Sequence, residues 1–130
     1  MFKNILFPVD RSREAREAAE IVANMVKIHG SNLIVLSVVE QKEDSAMGSE
    51  AEVAKILEGA KALFSQQGID AQVIEREGIA SFTICDVADE INADLIIMGC
   101  RGLGLIEDVV EESVTNRVIN LSPCPVLVVP

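Results

Sequence analysis

Five short apolar runs, separated by segments of helical periodicity, most constrain the fold of this chain. The runs are mostly continuous in apolar residues, which is typical of strands covered on both faces. Because such strands alternate with helices, the pattern favours an open parallel sheet with helices on both of its faces, an α/β fold. The predicted strands are residues 5–9, 33–39, 71–75, 94–98 and 125–129.

Four helices are predicted between the strands from apolar residues spaced three and four apart. The first follows a suitable N-cap at Ser12 and ends before Gly30, and the second ends at Gly68. The fourth begins near Ser113. The third strand has polar ends, which is typical of a sheet edge, and the acidic segment 40–49 is predicted to be a mobile loop.

Length and charge limit what the chain does. A length of 130 residues suits one domain, predicted over residues 1–130. The net charge of −10 argues against nucleic-acid partners and anionic membrane surfaces, which both favour basic patches. No apolar run approaches the ~20 residues that span a bilayer, and the N-terminus lacks a signal-peptide pattern. Cys85, Cys100 and Cys124 form no CxxC motif, which favours free thiols and a cytoplasmic location.

A glycine-containing turn follows the fourth strand. Gly99 and Gly102 allow a sharp turn and a close approach of a ligand to the backbone, since glycine has no Cβ. A helix N-terminus near Ser113 offers N–H groups to a phosphate. The same segment also carries four carboxylates that would repel a phosphate, Glu107, Asp108, Glu111 and Glu112.

Sheets of this class bind ligands beyond the carboxyl ends of their strands, where the strand order reverses. Asp10 directly follows the first predicted strand, and Gly99 directly follows the fourth. The apolar pattern alone does not set the strand order, and therefore leaves open which strand ends adjoin.

Three segments carry a resemblance to a known family. They are Ile5-Leu6-Phe7-Pro8-Val9-Asp10 with Ser12, Ala93-Asp94-Leu95-Ile96-Ile97-Met98-Gly99 with Arg101 and Gly102, and Ser122-Pro123-Cys124-Pro125-Val126-Leu127-Val128-Val129. Together they resemble the universal stress proteins over the whole chain. The resemblance implies a five-stranded sheet of order 3-2-1-4-5, with the reversal between the first and fourth strands.

One branch of that family binds ATP through a motif of Gly, two residues, Gly, nine residues, then Gly-Ser or Gly-Thr. Gly99, Gly102 and Ser113 match three positions of this motif, whereas Glu112 replaces its third glycine. Members of the other branch lack the glycines and do not bind ATP. The chain therefore lies near the ATP-binding branch and departs from it at one position.

The resemblance implies a set of nucleotide contacts at the reversal point. Adenosine would meet the end of the first strand, Val38 would line the adenine pocket, and the glycine turn would form the floor. Phosphates would meet the start of the fourth helix. The implied cofactor-binding residues are Pro8, Val9, Asp10, Val38, Met98, Gly99, Arg101, Gly102, Ser113 and Val114.

Three of these residues have alternative roles. Ser113 also fits a helix N-cap, a role compatible with phosphate binding. Asp10 fits a turn or cap as well as an acceptor from ribose hydroxyls. Arg101 reaches either a phosphate or the neighbouring carboxylates, and the four nearby acids favour the second role.

The motifs indicate a regulatory module rather than an enzyme. The chain has no Walker A sequence, no GxSxG and no zinc-ligand set, so neither catalytic residues nor metal ligands are predicted. The favoured function is a stress-response module that binds AMP, ADP or ATP, with Mg²⁺ involved only if a polyphosphate binds. The alternatives are a dimeric protein-interaction module that does not bind ATP, with unknown protein partners, and a weak nucleotide hydrolase.

The last strand predicts a homodimer. Residues 126–129 are entirely apolar, and an exposed apolar edge strand tends to pair with another strand. The resemblance implies pairing of the fifth strands across a two-fold axis.

Overall fold

A computed structural model describes residues 2–9, 13–39, 50–99 and 114–130. Strands and helices alternate through these ranges, as the sequence pattern predicts. Their order is β1 (Asn4–Pro8), α1 (Arg13–His29), β2 (Asn32–Val39), α2 (Glu50–Gln66), β3 (Gln72–Glu77), α3 (Ala80–Glu90), β4 (Leu95–Gly99), α4 (Val114–Leu121) and β5 (Val126–Val129).

The five strands form one parallel sheet in the order β3-β2-β1-β4-β5, which confirms the predicted fold. The chain first builds outward from β1 through β2 to β3, and then crosses to the other side of β1 to form β4 and β5. The strand order therefore reverses between β1 and β4. β3 lies at an edge of the sheet, as predicted, and its side chains are mostly exposed.

The two faces of the sheet are covered by different helix pairs. Successive residues of a strand point to opposite faces, and each continuous apolar strand therefore contributes to two cores. The α1/α2 face contains Ile5, Phe7, Leu33, Val35, Leu95 and Ile97. The α3/α4 face contains Leu6, Ile34, Leu36, Ile96 and Met98.

Two glycines mark the ends of helices, and one carboxylate joins the starts of two strands. Gly30 and Gly68 follow α1 and α2 with φ of 61° and 78°, which confirms the predicted helix ends. The carboxylate of Asp94 accepts hydrogen bonds from the backbone N–H groups of Lys3 and Asn4, each at 2.9 Å. These bonds join the starts of β1 and β4 and support the register that pairs Ile5 with Leu95.

The limits of β3 differ slightly from the prediction, because the strand runs to Glu77 rather than ending at residue 75. Its last two residues, Arg76 and Glu77, pair with Val38 and Val39 of β2. Backbone pairing extends the strand through polar residues whose side chains stay in water at a sheet edge.

The predicted cap at Ser12 and the predicted loop 40–49 lie outside the described residues. None of the helices in the described ranges is long and apolar enough to cross a membrane.

Candidate functional site

The carboxyl ends of β1 and β4 adjoin at the point where the strand order reverses. Ile5 pairs with Leu95 and Leu6 with Ile96, while Val9 follows the end of β1 and Gly99 ends β4. On the other side of β1, the backbone N–H of Val9 donates to the carbonyl oxygen of Leu36 at 2.8 Å. The strand ends expected to form the site are therefore neighbours at one edge of the sheet.

A buried hydroxyl ties the end of β4 to the start of α4. Thr115, the second residue of α4, is 4% exposed, and its Oγ1 donates to the carbonyl oxygen of Gly99 at 3.1 Å. This bond joins two residues that are 16 positions apart in the chain. It holds the N-terminus of α4 close to the glycine at the end of β4, where a phosphate site was predicted.

A second buried hydroxyl supports the end of β1. The Oγ of Ser37 on β2 donates to the carbonyl oxygen of Val9 at 3.1 Å, and Ser37 is fully buried. The strand ends at the reversal point are thus each held by a side chain from a neighbouring element. Neither hydroxyl is among the predicted site residues, although Ser37 interrupts an otherwise apolar strand and Thr115 directly follows two of them.

The predicted site residues lie on both faces of the sheet. Val38 and Met98 are packed into the core of the α3/α4 face, with exposed fractions of 1% and 0%. Val9 belongs instead to the core of the α1/α2 face. All three side chains are buried, and Val9 lies on the opposite face of the sheet from Val38 and Met98.

Six of the ten predicted site residues are within the described ranges, and all six lie near the carboxyl edge. Pro8 is buried, Val114 is the first residue of α4, and Gly99 is partly exposed. The other four lie outside the described residues, as does Glu112: they are Asp10, Arg101, Gly102 and Ser113. Their contacts remain predictions from the sequence.

Two cysteines, Cys85 and Cys124, pack against the core. Cys85 and Cys124 both border the core of the α3/α4 face, and both are free thiols, as predicted. Burial raises the pKa of the Cys85 thiol, and the negative charges of Asp86 and of the Cys124 thiolate raise it further. Burial also raises the pKa of Cys124, partly offset by its hydrogen bond with Ser122. Both thiols are therefore protonated at neutral pH and are poor nucleophiles.

Exposed apolar side chains occur on α4 and on β5, on opposite faces of the sheet. Leu127 of β5 is 36% exposed, and Ile119 and Leu121 of α4 are each about half exposed. β5 is at the edge of the sheet among the described strands.

Within the residue ranges that the structure describes, no three His, Cys, Asp or Glu side chains are grouped as a metal site requires.

Comparison with known proteins matches the sequence resemblance. The model of the universal stress protein family covers residues 1–130. Universal stress protein Sll1654 from Synechocystis sp. is 69% identical over 136 residues, which cover 100% of this chain and 87% of that protein.

Two solved structures share the fold. A universal stress protein in complex with cAMP has a TM-score of 0.82 at 20% identity, over 99% of this chain and 97% of that one. The universal stress protein from Archaeoglobus fulgidus in complex with dAMP has a TM-score of 0.77 at 18% identity, over 100% and 98%. The family match and the 69% identity settle the classification: this chain belongs to the universal stress protein family.

Proposed function

We propose that this protein binds an adenine nucleotide (AMP, ADP or ATP) beyond the ends of β1 and β4, as a regulatory module of the stress response. The bond from Thr115 to Gly99 carries this proposal. It holds a helix N-terminus against a glycine at the reversal point of a parallel sheet. All three features favour an anionic ligand that approaches the backbone closely.

Two proteins of the same fold support an adenine ligand, since they are complexes with cAMP and with dAMP. In the proposed site, the adenosine part meets the strand ends and the phosphates meet the start of α4. Gly99 fits this arrangement because it offers backbone without a Cβ. The contacts are assigned to Pro8, Val9, Asp10, Val38, Met98, Gly99, Arg101, Gly102, Ser113 and Val114.

The proposed role is binding without catalysis. Sequence motifs for nucleophilic or metal-dependent catalysis are missing from the chain, and Mg²⁺ enters only as the counterion of a bound polyphosphate. We place the protein in the cytoplasm, where a reducing environment suits the free thiols of Cys85 and Cys124.

The deciding experiment identifies the ligand that copurifies with the protein. Protein purified without added nucleotide is denatured, and the released small molecules are identified by mass spectrometry. Calorimetric titration with AMP, ADP and ATP then ranks the three ligands. The proposal would be contradicted if the extract contained no adenine compound and none of the three titrations released or absorbed heat. Phosphate release from ATP above a no-protein control would contradict the non-catalytic role.

The exposed apolar side chain of Leu127 on the edge strand β5 favours a second candidate function, a dimeric protein-interaction module that does not bind ATP. In both candidates we propose a homodimer formed through β5, since an unpaired apolar edge strand is a template for pairing. The exposed side chain of Leu127 lies on this strand. A dimer together with no nucleotide binding would favour the second candidate over the first.

A further inference from the structure

The hydroxyl of Ser81 lacks a hydrogen-bond partner, and it is the one such buried side-chain oxygen among the described residues. Ser81 is 1% exposed. In the part of the chain that the structure describes, the other two buried polar side chains, those of Ser37 and Thr115, both donate to backbone carbonyls. Because an unpaired buried hydroxyl destabilises the folded state, it needs a specific explanation.

Ser81 lies close to the carboxyl edge of the sheet. The backbone N–H of Gly78, just before α3, donates to the carbonyl oxygen of Val39 at the end of β2, 3.0 Å away. Ala80, adjacent to Ser81, shares a core with Val38 and Met98. Ser81 is therefore at the same edge and on the same face as Met98 and as Val38, which is assigned to the adenine pocket.

Ser81 also belongs to the first turn of a helix of 11 residues. The preceding residue, Ile79, is the N-cap and makes no side-chain cap. The hydrogen bond from Thr83 N–H to the carbonyl oxygen of Ile79 begins the helical ladder, at 2.8 Å. By helix geometry, the N–H groups of Ser81 and Phe82 have no partner within the helix. Polar groups of the backbone and the unpaired hydroxyl therefore occur together at one helix end.

We propose that Ser81 selects the base of the bound nucleotide, with its Oγ accepting a hydrogen bond from the 6-amino group of adenine. This assignment rests on the proposed function and adds base selectivity to it. Its neighbours enclose the hydroxyl, so the first turn of α3 must shift to admit the base. Gly78 leads into that turn with φ of 151°, a conformation that side chains other than glycine rarely adopt.

The test combines a change in the protein with a change in the ligand. Wild type, Ser81→Ala and the exposed control Ser65→Ala are titrated calorimetrically with AMP and with purine riboside 5′-monophosphate, which lacks the amino group. One hydrogen bond corresponds to about a tenfold loss of AMP affinity in Ser81→Ala. The ligand without the amino group should bind wild type and Ser81→Ala equally, and Ser65→Ala should match wild type with both ligands.

Thermal unfolding without nucleotide separates recognition from structure. Ser81→Ala should unfold at the same temperature as wild type or higher, because the variant removes an unpaired buried hydroxyl. A lower unfolding temperature would show that the hydroxyl stabilises the fold and would overturn the assignment. Unchanged AMP affinity in Ser81→Ala, or equal losses for both ligands, would overturn the assignment while the proposed function stands. If wild type binds none of AMP, ADP and ATP, both the assignment and the proposed function are overturned.

Discussion

The hydroxyl of Thr115 donates to the carbonyl oxygen of Gly99, and this contact connects the start of α4 to the end of β4. It acts across a segment of the chain that contains most of the predicted phosphate-binding motif. The bond fixes the end of β4 relative to the first turn of α4. A preorganised backbone binds a ligand at a lower entropic cost than a freely moving one.

Replacing Thr115 with valine should weaken nucleotide binding and lower stability. The variant keeps the shape of the side chain but leaves the Gly99 carbonyl without this bond, at a cost of about 1 kcal/mol in the free energy of unfolding. Urea unfolding measures the stability, and calorimetric titration with AMP measures the affinity. Thr115→Ser retains the hydroxyl and should bind AMP as wild type does. Wild-type affinity in Thr115→Val would show that the contact is not needed for the site.

A bulky side chain at Gly102 should abolish nucleotide binding. The proposed site needs backbone without a Cβ there, so Gly102→Val fills the space through which the ligand approaches. Gly59→Ala is the matched glycine control, since an added Cβ meets nothing within 4 Å in α2. Alanine there should preserve affinity and raise stability by up to ~1 kcal/mol. Unchanged AMP affinity in Gly102→Val, measured calorimetrically, would move the site away from this turn.

The fold was predictable because its determinants are local or periodic. Apolar runs indicate strands, and Gly30 and Gly68 mark helix ends through a backbone conformation that glycine adopts easily. The order of the strands depends on contacts between distant segments and came from the family resemblance instead. The bonds from Asp94 to Lys3 and Asn4 are of this long-range kind, and no local pattern predicts them.

The candidate site was predictable only in outline. Motif spacing identified Gly99 and the start of α4, because these positions follow a strand and begin a helix. It did not identify Ser37, Thr115 or Ser81, whose importance depends on burial and on which carbonyl lies within reach. A single polar residue within an apolar run indicates a buried hydroxyl, but its partner is set by the folded chain.

The thiols of Cys85 and Cys124 should stay unreactive at neutral pH and gain reactivity only in alkaline solution. Burial raises the pKa of Cys85 and Cys124, and the thiolate is the reactive form. Alkylation of a Cys100→Ser variant, followed by mass spectrometry of peptides, should still accelerate at a pH where the urea-unfolded protein has reached its plateau. A plateau at the same pH in both states would contradict the raised pKa.

The same shifts fix the sign of a contribution to stability. Because folding raises the pKa of Cys85 and Cys124, the folded state holds these protons more tightly than the unfolded state does. Their contribution is complete below the pKa of the unfolded thiols and is lost as the pH rises through the folded pKa. Urea unfolding of the Cys100→Ser variant should therefore show stability falling on the alkaline side.

A charge on β5 should dissociate the proposed homodimer. Leu127→Lys places a charge on the exposed face of an edge strand, and lysine is a residue that protects such edges from pairing. Sedimentation at micromolar concentration should show a dimer for wild type and a monomer for the variant. Ile28→Lys is the control, because Ile28 on α1 is 74% exposed and should leave the dimer intact. A wild-type monomer, or a dimer that survives Leu127→Lys, would contradict the β5 interface.

Replacing Glu112 with glycine should tighten ATP more than AMP. The change restores the third glycine of the family's ATP motif and removes a negative charge near the proposed phosphates. For charges ~4 Å apart, removing the repulsion should gain about 1–3 kcal/mol for ATP. AMP carries less charge and should gain less. Glu112→Gln separates charge from shape, and Glu58→Gln on α2 is a control for a change in net charge alone.

Calorimetric titration of all four proteins with ATP and AMP, with and without Mg²⁺, measures these differences. The part of the gain that comes from charge should shrink at high salt, because exposed charges are screened over roughly 8–10 Å. Glu112→Gln removes the charge but keeps most of the side chain, so nearly all of its gain in ATP affinity should disappear at high salt. If Glu112→Gly instead loses ATP affinity only when Mg²⁺ is present, the carboxylate bridges to the phosphates through the metal ion, and the repulsion hypothesis is wrong.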